Sequence, residues 1–180
     1  MPRWLPNFFT ILRLLLVPAV IRAIVLGHHT EALLLFIAAA VTDVLDGAIA
    51  RAFQITSQSG AYLDPIADKV LLSGVFLALA LTRQIPLWLV IIIFGRDVYL
   101  LLGVAVLLWL TPARKFPPSS WGKASTLVQI VTSVVWMARN MHHVLVLDEL
   151  SYAMLWPCAA FTIWSGVHYT WRGVQLARAH

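Results

Sequence analysis

The charged residues of this chain are concentrated in short stretches that separate long apolar segments. Hydrophobic residues make up 61% of its 180 residues, charged residues only 12%, and the mean hydropathy is +0.84. Such a composition excludes an ordinary soluble domain and is typical of a protein embedded in a membrane. The length suits one membrane domain of several helices, so we predict a single domain over residues 1–180.

The apolar segments predict an all-α integral membrane protein with six transmembrane helices. The predicted spans are approximately Ile11–Leu26, Glu31–Arg51, Gly60–Leu81, Pro86–Leu110, Ala124–Met137 and Ser151–Thr170. A short interfacial segment, Pro2–Thr10, precedes them, because its arginine and aromatic residues are typical of the layer between lipid and water. Arg13 and Arg22 interrupt the first apolar run and no clear cleavage site follows, so we expect an uncleaved span. Before the last span we predict a solvated loop, Arg139–Leu150.

Cations outside the predicted spans are distributed unevenly between the two sides of the membrane. Six spans place both termini on one side, together with the turn after the second span. Seven cations lie on that side and two on the other: Arg3, Arg51, Arg114, Lys115, Lys123, Arg172 and Arg178, against Arg83 and Arg139. This asymmetry predicts that the termini and the turn after the second span are cytoplasmic. We expect the membrane to be a bacterial inner membrane. The net charge of +5 is small, and no nucleic-acid partner is expected.

One polar stretch, Thr42–Lys69, holds four of the chain's eight carboxylates: Asp43, Asp46, Asp64 and Asp68. Apolar segments flank this stretch on both sides. Ionisable groups inside or beside a membrane are expensive, and they indicate a functional site by default. The stretch is therefore the first candidate for the functional site.

The spacing of these aspartates places them on two helical faces. The faces carry Asp43, Asp46, Gly47 and Ala50 at i, i+3, i+4 and i+7, and Gly60, Asp64 and Asp68 at i, i+4 and i+8. If the two faces oppose each other, four carboxylates converge and repel one another. A hard divalent cation such as Mg²⁺ or Mn²⁺ resolves that conflict, because carboxylate oxygens suit these ions.

Small residues lie on the same faces as the aspartates. Gly47, Ala50 and Gly60 leave room for a flat or bulky ligand between the helices. Arg51 follows directly and supplies a fixed cation suited to a phosphate. Close helix packing, with the acids neutralised by the few cations, is the structural alternative. Packing alone, however, does not require four acids at these spacings.

The whole pattern resembles the signature of the CDP-alcohol phosphotransferases. It reads Asp43-x-x-Asp46-Gly47-x-x-Ala50-Arg51, then eight residues, then Gly60-x-x-x-Asp64-x-x-x-Asp68, with no position missing. Members of this family move a phosphatidyl or similar group from a CDP-linked donor to an alcohol and release CMP. The resemblance implies the same activity here, with CDP-diacylglycerol as the donor, and it implies a homodimer in the lipid bilayer.

The resemblance also implies a role for each position of the signature. The four aspartates would share two ions, Mg²⁺ or Mn²⁺, and Asp68 would also take the proton from the acceptor hydroxyl. Gly47, Ala50 and Gly60 would make room for the cytidine, and Arg51 would bind the donor phosphate.

Three further stretches extend the resemblance beyond the signature. They are Pro6-Asn7-x-x-Thr10-x-x-Arg13, which resembles a family segment near the active site, Gly95-Arg96-Asp97, and Gly122-Lys123-x-x-Thr126. A charged pair deep in a span needs a partner or a polar cavity, so Arg96 and Asp97 are expected to face the aspartates, with a structural ion pair as the alternative. The candidate acceptor or phosphate-binding residues are Asn7, Arg13, Arg96, Arg114 and Lys123.

Two departures from the family pattern concern the acceptor alcohol. Members that use glycerol 3-phosphate, a dianion, usually carry an extra arginine and a second lysine where this chain has Val104 and Ser125. Eukaryotic-type cardiolipin synthases of the same superfamily also lack these cations, and their acceptor, phosphatidylglycerol, presents a neutral hydroxyl. The segment Leu155–Thr162 resembles that subgroup, whereas Ser165-Gly166-x-x-Tyr169 resembles the glycerophosphate enzymes. We expect phosphatidylglycerol as the acceptor, with glycerol 3-phosphate as the alternative.

Two other classes of membrane protein carry intramembrane aspartates: proton-coupled transporters and prenyltransferases that bind isoprenoid diphosphates. The Gly47-x-x-Ala50-Arg51 elements argue against both classes, and no inverted-repeat halves are visible. Release of CMP from CDP-diacylglycerol separates the phosphotransferase hypothesis from both alternatives, because neither a transporter nor a prenyltransferase should produce it.

Overall fold

The computed structural model of the protein consists of long helices. It describes the backbone of residues 5–53, 58–110, 120–141 and 144–178, and the side chains of residues 11–43, 67, 69–103, 120–141 and 144–175. Within these residues it contains six helices and no strand: α1 (Leu5–Val25), α2 (His29–Phe53), α3 (Gln58–Leu81), α4 (Leu87–Leu110), α5 (Ser120–Met141) and α6 (Leu145–Arg178). The all-helical fold predicted from the apolar segments is confirmed over this part of the chain.

The chain forms two compact units. One comprises Met1–Ile85 and Trp136–Val144, and the other comprises Pro86–Val135 and Leu145–His180. The signature aspartates all belong to the first unit, and Arg96 belongs to the second. The expectation of a single domain stays a prediction.

In the first unit, α1 packs against both α2 and α3. Its buried face carries Val17, Val20 and Ile24, at i, i+3 and i+7, so a single apolar stripe meets the neighbouring helices. Gly74 of α3 lies against this helix, since a Cβ built on it would come within 2.8 Å of Ile21 Cδ1. The close approach of α1 is what places its polar side chains beside the signature helices.

Two helices of the first unit end in the same left-handed turn. At the end of α1, Gly27 has φ 75°, and the amide of His28 donates to the carbonyl of Ala23 at 2.9 Å. At the end of α3, Arg83 has φ 57°, and the amide of Gln84 donates to the carbonyl of Leu79 at 2.8 Å. Both are Schellman caps, which satisfy carbonyls that the last helical turn leaves without partners.

In the second unit, α4 and α6 run parallel and α5 runs antiparallel to α6. Three cross-helix pairs show the parallel register of α4 and α6: Trp88 with Trp156, Arg96 with Ser165, and Tyr99 with Thr170. The opposite direction of α5 follows from Trp121 contacting Phe161 and Trp164, while Thr132, further along α5, contacts Cys158, an earlier residue of α6. Parallel neighbours need a crossing segment between them, and α5 is that segment.

The predicted spans differ from the helices mainly around α6. The loop predicted over Arg139–Leu150 is wrong, because α5 continues to Met141 and α6 begins at Leu145. Asp148 lies in the first turn of α6, where a carboxylate interacts favourably with the positive end of the helix dipole. Asn140 is held by a hydrogen bond to Gln84, which gives the end of α5 a polar partner. In addition, α1 begins at Leu5, so part of the predicted interfacial segment belongs to the first helix.

Over the part of the chain that the structure describes, none of the helices combines the length and the apolar character needed to span a membrane.

Candidate active site

The signature residues lie in the two helices that the spacing predicted. Asp43, Asp46, Gly47 and Ala50 fall within α2, and Gly60, Asp64 and Asp68 fall within α3. Within one helix, positions three and four residues apart share a face, so the backbone supports the two predicted faces. Of these side chains, the structure describes only that of Asp43. The convergence of all four carboxylates stays a prediction.

Asp43 forms an ion pair with Arg13 of α1. Arg13 Nη2 lies 2.5 Å from Asp43 Oδ1, and the exposed fractions of the two side chains are 0% and 40%. Arg13 therefore has a fully buried guanidinium whose carboxylate partner still reaches solvent on one side. A buried charge is costly unless it is paired and hydrogen-bonded, so this contact accounts for an arginine in the middle of an apolar helix.

Sequence reasoning placed Arg13 among the phosphate-binding candidates, and the structure gives it a partner that the sequence did not indicate. Arg13 lies four residues before Val17 and so extends the buried stripe of α1 by one turn. The spacing of Arg13 and Val17 could have indicated a partner on a neighbouring helix, because a residue on the buried face of α1 must point at α2 or α3. A role for Arg13 at the acceptor stays a prediction.

Arg96 is held by two side chains of the second unit. Its Nη1 donates to Asp97 Oδ1 at 2.8 Å, and its Nη2 donates to Ser165 Oγ at 2.5 Å. Ser165 is fully buried, and a Cβ added to the next residue, Gly166, would lie 3.6 Å from Arg96 Cγ. The structure thus contains the ion pair between Arg96 and Asp97 that was the alternative expectation for these residues. The expectation that Arg96 faces the signature aspartates stays a prediction.

The Nε of Arg96 is buried and has no hydrogen-bond partner among the described residues. A buried donor of this kind calls for an oxygen acceptor, from water or from a ligand. A phosphate oxygen suits it, because a guanidinium binds phosphate through charge-assisted hydrogen bonds. The geometry of Arg96 is thus compatible with its predicted place among the phosphate-binding residues.

Buried polar side chains connect α5 to α6 in the second unit. Ser125 Oγ lies 3.4 Å from Thr162 Oγ1, and Gln129 Nε2 donates to the same oxygen at 3.2 Å. All three residues are buried. Ser125 occupies the position where a lysine was expected for a glycerophosphate enzyme, and the structure fills its surroundings with neutral hydroxyl and amide groups.

Gln129 was not singled out from the sequence, although a signal was present. The buried polar residues of α5 follow the spacing i, i+4, i+7 and i+8: Ser125, Gln129, Thr132 and Ser133. Polar residues on one face of an otherwise apolar helix indicate a polar neighbour on that side. The partner, Thr162, is 33 residues away from Gln129 in the chain and could be identified only from the packing.

The remaining candidates are less defined. Lys123 lies in the first turn of α5 and is exposed. Asn7 lies within α1, but its side chain is outside the described residues, and so are the side chains of Arg51 and Arg114. Among the side chains that are described, no three histidine, cysteine or acidic groups come together, and Asp46, Asp64 and Asp68 are not among them.

Comparison with protein families gives one match over most of the chain. The sequence profile described as CDP-alcohol phosphatidyltransferase matches residues 3–164. The match includes every position of the signature, together with Arg13, Arg96 and Lys123.

Individual relatives fall into two groups by their names. A probable phosphatidylglycerophosphate synthase of Mycobacterium tuberculosis is 33% identical over an alignment of 180 positions, which covers 95% of this chain and 82% of that protein. A CDP-diacylglycerol–glycerol-3-phosphate 3-phosphatidyltransferase of Haemophilus influenzae is 31% identical, over 92% of this chain and 90% of that protein. A probable cardiolipin synthase (CMP-forming) of Drosophila melanogaster is 42% identical over 98 residues, which cover 54% of this chain and 30% of that protein.

Proposed function

The chain belongs to the CDP-alcohol phosphatidyltransferase family, and from this premise we propose that it transfers a phosphatidyl group from CDP-diacylglycerol to phosphatidylglycerol. The products would be cardiolipin and CMP. The observation that carries the transferase activity is the complete eight-position signature on α2 and α3, inside the family match.

Members of this family generally use divalent metal ions, and the described part of the site fits such an ion. Asp43 contacts Arg13 through Oδ1, and its side chain is 40% exposed; we propose that its second oxygen binds the ion. Carboxylate oxygens are the donors that Mg²⁺ and Mn²⁺ prefer. We propose that Asp43, Asp46, Asp64 and Asp68 hold two such ions. When bound, the ions would neutralise the donor pyrophosphate and stabilise the attacking and leaving oxygens.

The chain's own residues would bind the substrates and move one proton. Asp68 takes the proton from the acceptor hydroxyl, whose oxygen attacks the phosphorus of the phosphatidyl group. The bond from that phosphorus to the CMP oxygen breaks, and CMP leaves with the electron pair. Gly47, Ala50 and Gly60 make room for the cytidine, and Arg51 binds the donor phosphate. These roles come from the family resemblance of each position.

The choice of phosphatidylglycerol rests on the surroundings of Ser125. This residue is 1% exposed and contacts Thr162 in a cluster of neutral polar groups. A dianionic acceptor such as glycerol 3-phosphate is best bound by several cations. The neutral glycerol hydroxyl of phosphatidylglycerol does not need these cations. The local identity of 42% to a relative named as a cardiolipin synthase supports the same choice.

Glycerol 3-phosphate is the second candidate acceptor, and a specific observation favours it. Both relatives named above that align with more than nine-tenths of this chain are named for phosphatidylglycerophosphate or for glycerol 3-phosphate. In that case Arg96 and Lys123 would supply the positive charge that Val104 and Ser125 do not.

We further propose that the protein lies in a bacterial inner membrane as a homodimer, with its termini and site on the cytoplasmic side. The high mean hydropathy of +0.84 supports a membrane location, and the excess of cations on the predicted cytoplasmic side supports the orientation. The bacterial sources of the relatives named above support the choice of membrane, and the homodimer is what the family resemblance implies. The lipid substrates would reach the site from the bilayer.

One assay tests the activity and the acceptor together. Purified protein in detergent is incubated with CDP-diacylglycerol and Mg²⁺ or Mn²⁺, and parallel tubes receive phosphatidylglycerol or glycerol 3-phosphate. Cardiolipin and CMP from the first tube alone are expected. Phosphatidylglycerophosphate from the second tube alone would overturn the choice of acceptor. Absence of CMP from both tubes would show that neither candidate alcohol is the acceptor.

A further inference from the structure

We propose that Arg13 is a built-in counter-charge of the aspartate site: it neutralises Asp43 in the metal-free protein and lowers the affinity of the site for metal. The inference deepens the proposed function and rests on it, because it takes Asp43 to be a metal ligand. It gives Arg13 a different role from the phosphate binding expected from the sequence.

The burial of Arg13 argues for a permanent partner inside the protein. Its side chain is 0% exposed, and its Nη2 lies 2.5 Å from Asp43 Oδ1. Removing a guanidinium from water without an opposing charge is strongly unfavourable. The ion pair with Asp43 offsets part of this cost, and the folded state gains from it whether or not a substrate is present.

The helix that carries Arg13 leaves the side chain little freedom to turn away. Arg13 shares its face with Val17, Val20 and Ile24, which are all buried. That face packs against α2 and α3, the two helices of the signature. Rotation of α1 to bring Arg13 to an incoming phosphate would expose these apolar side chains, so a fixed contact with Asp43 is favoured.

The geometry lets Asp43 serve two positive partners at the same time. Arg13 occupies Oδ1, and the carboxylate side chain remains 40% exposed. A divalent ion at the second oxygen would lie within a few ångströms of the guanidinium. Two cations at one carboxylate repel each other, and the repulsion is strong where solvent screens poorly.

This arrangement has opposite consequences for the two states of the site. Without metal, Arg13 removes part of the repulsion among the carboxylates and stabilises the fold. With metal bound, the same positive charge opposes the ions and weakens their binding. The arginine thus keeps the site assembled when it is empty and prevents the metal from being held too tightly to exchange.

The test compares Arg13→Gln with Arg22→Gln in the full chain in detergent. Glutamine keeps a hydrogen-bond donor and removes the charge. Arg22 lies on the same helix and is exposed, so it controls for the loss of any arginine from α1. The readouts are the Tm after chelation, the Tm with Mn²⁺, and the Mn²⁺ Kd from electron paramagnetic resonance of the free ion.

We expect Arg13→Gln to lower the metal-free Tm, to enlarge the gain in Tm on adding Mn²⁺, and to tighten Mn²⁺ binding about tenfold or more. Arg22→Gln should leave all three quantities at the wild-type values. The proposal would be overturned if Arg13→Gln lost the same amount of Tm with and without Mn²⁺, or if its Mn²⁺ affinity were unchanged or weaker. Either result would show that the ion pair is only structural.

Two further outcomes are informative. If Arg13→Gln folds only in the presence of Mn²⁺, the metal replaces the missing charge, as proposed; if it fails to fold even with Mn²⁺, the counter-charge idea is wrong. Arg13→Lys keeps the charge and should retain the wild-type Kd, and a Kd like that of the glutamine variant would contradict the proposal. Absence of any Mn²⁺ effect on wild-type protein would instead refute the metal site itself.

Discussion

Arg96 of α4 donates from Nη2 to Ser165 Oγ of α6 at 2.5 Å, and Ser165 has no exposed surface. The hydrogen bond joins two parallel helices through a charged group. Hydrogen bonds to charged groups contribute more to stability than neutral ones. Ser165 therefore links the orientation of the guanidinium to the packing of α4 against α6.

Replacing Ser165 by alanine should destabilise the protein by about 1.5–3 kcal/mol, because the partly buried guanidinium of Arg96 loses an acceptor. The free energy of unfolding in detergent measures this effect. Ser151→Ala is the matched control, since Ser151 is equally buried on α6 but donates to the carbonyl of Asp148 in its own helix. Equal decreases in the free energy of unfolding of the two variants would show that the hydrogen bond to the charged group contributes no more than a neutral one.

The substitution Asp68→Asn should lower CMP release by roughly 10²–10⁴-fold, the usual contribution of a general base. An amide cannot take the proton from the acceptor hydroxyl, although it nearly preserves the shape of the side chain. Circular dichroism and the Tm verify that the variant is folded. A folded variant with full activity would refute the assignment of Asp68 as the base.

Chelation of divalent ions should abolish CMP release reversibly. The aspartates are expected to bind the donor pyrophosphate only through the ions, so the protein without them should not turn over. Activity is measured after treatment with EDTA and again after adding Mg²⁺ or Mn²⁺ in excess. Undiminished turnover in EDTA, with metal content checked by elemental analysis, would contradict a metal-dependent reaction.

Acceptor choice should respond to positive charge at two positions. The double variant Val104→Arg and Ser125→Lys should raise the ratio of glycerol 3-phosphate use to phosphatidylglycerol use about tenfold or more, because a dianion gains two cations. Assays that contain both acceptors measure this change as the ratio of phosphatidylglycerophosphate to cardiolipin formed. Thr126→Lys, beside Ser125, is the control for adding a cation to α5. If Thr126→Lys shifts the product ratio as strongly as the double variant, positions 104 and 125 have no specific effect on the choice of acceptor, and the prediction is wrong.

The two left-handed caps predict opposite responses to substitution. Arg83→Gly should stabilise the protein by up to about 1 kcal/mol, because glycine adopts φ 57° without steric cost. Gly27→Ala should destabilise it by about 1 kcal/mol through the backbone alone, since a Cβ there meets nothing within 4 Å. Unfolding free energies of the two variants check the signs, and the same sign for both would refute the argument.

The sequence predicted the helices far better than their partners. The six long apolar runs indicated six helices, and α4 was predicted within one residue, because a strongly apolar run ends where charge and proline begin. The start of α6 was missed, since Asp148 and Glu149 together indicate a loop unless the place of Asp148 in the first helical turn is known. The signature residues were found from spacing within one helix.

Contacts between distant positions could not be predicted in the same way. The pairing of Arg13 with Asp43 depends on how α1 rotates against α2, and that rotation is set by the packing of Val17, Val20 and Ile24. Likewise, the sequence shows Arg96 beside Asp97 but does not identify Ser165 as its second partner. Periodicity specifies the face of a helix, whereas the identity of the neighbour follows only from tertiary structure.

The parallel arrangement of α4 and α6 has a consequence for how the chain is synthesised. Asp97 is available to Arg96 as soon as α4 forms, but Ser165 follows 69 residues after Arg96. During that interval the guanidinium has only its nearest neighbour to compensate its charge. A nascent chain that stops before α6 would therefore carry an arginine whose hydrogen bonds are incompletely satisfied.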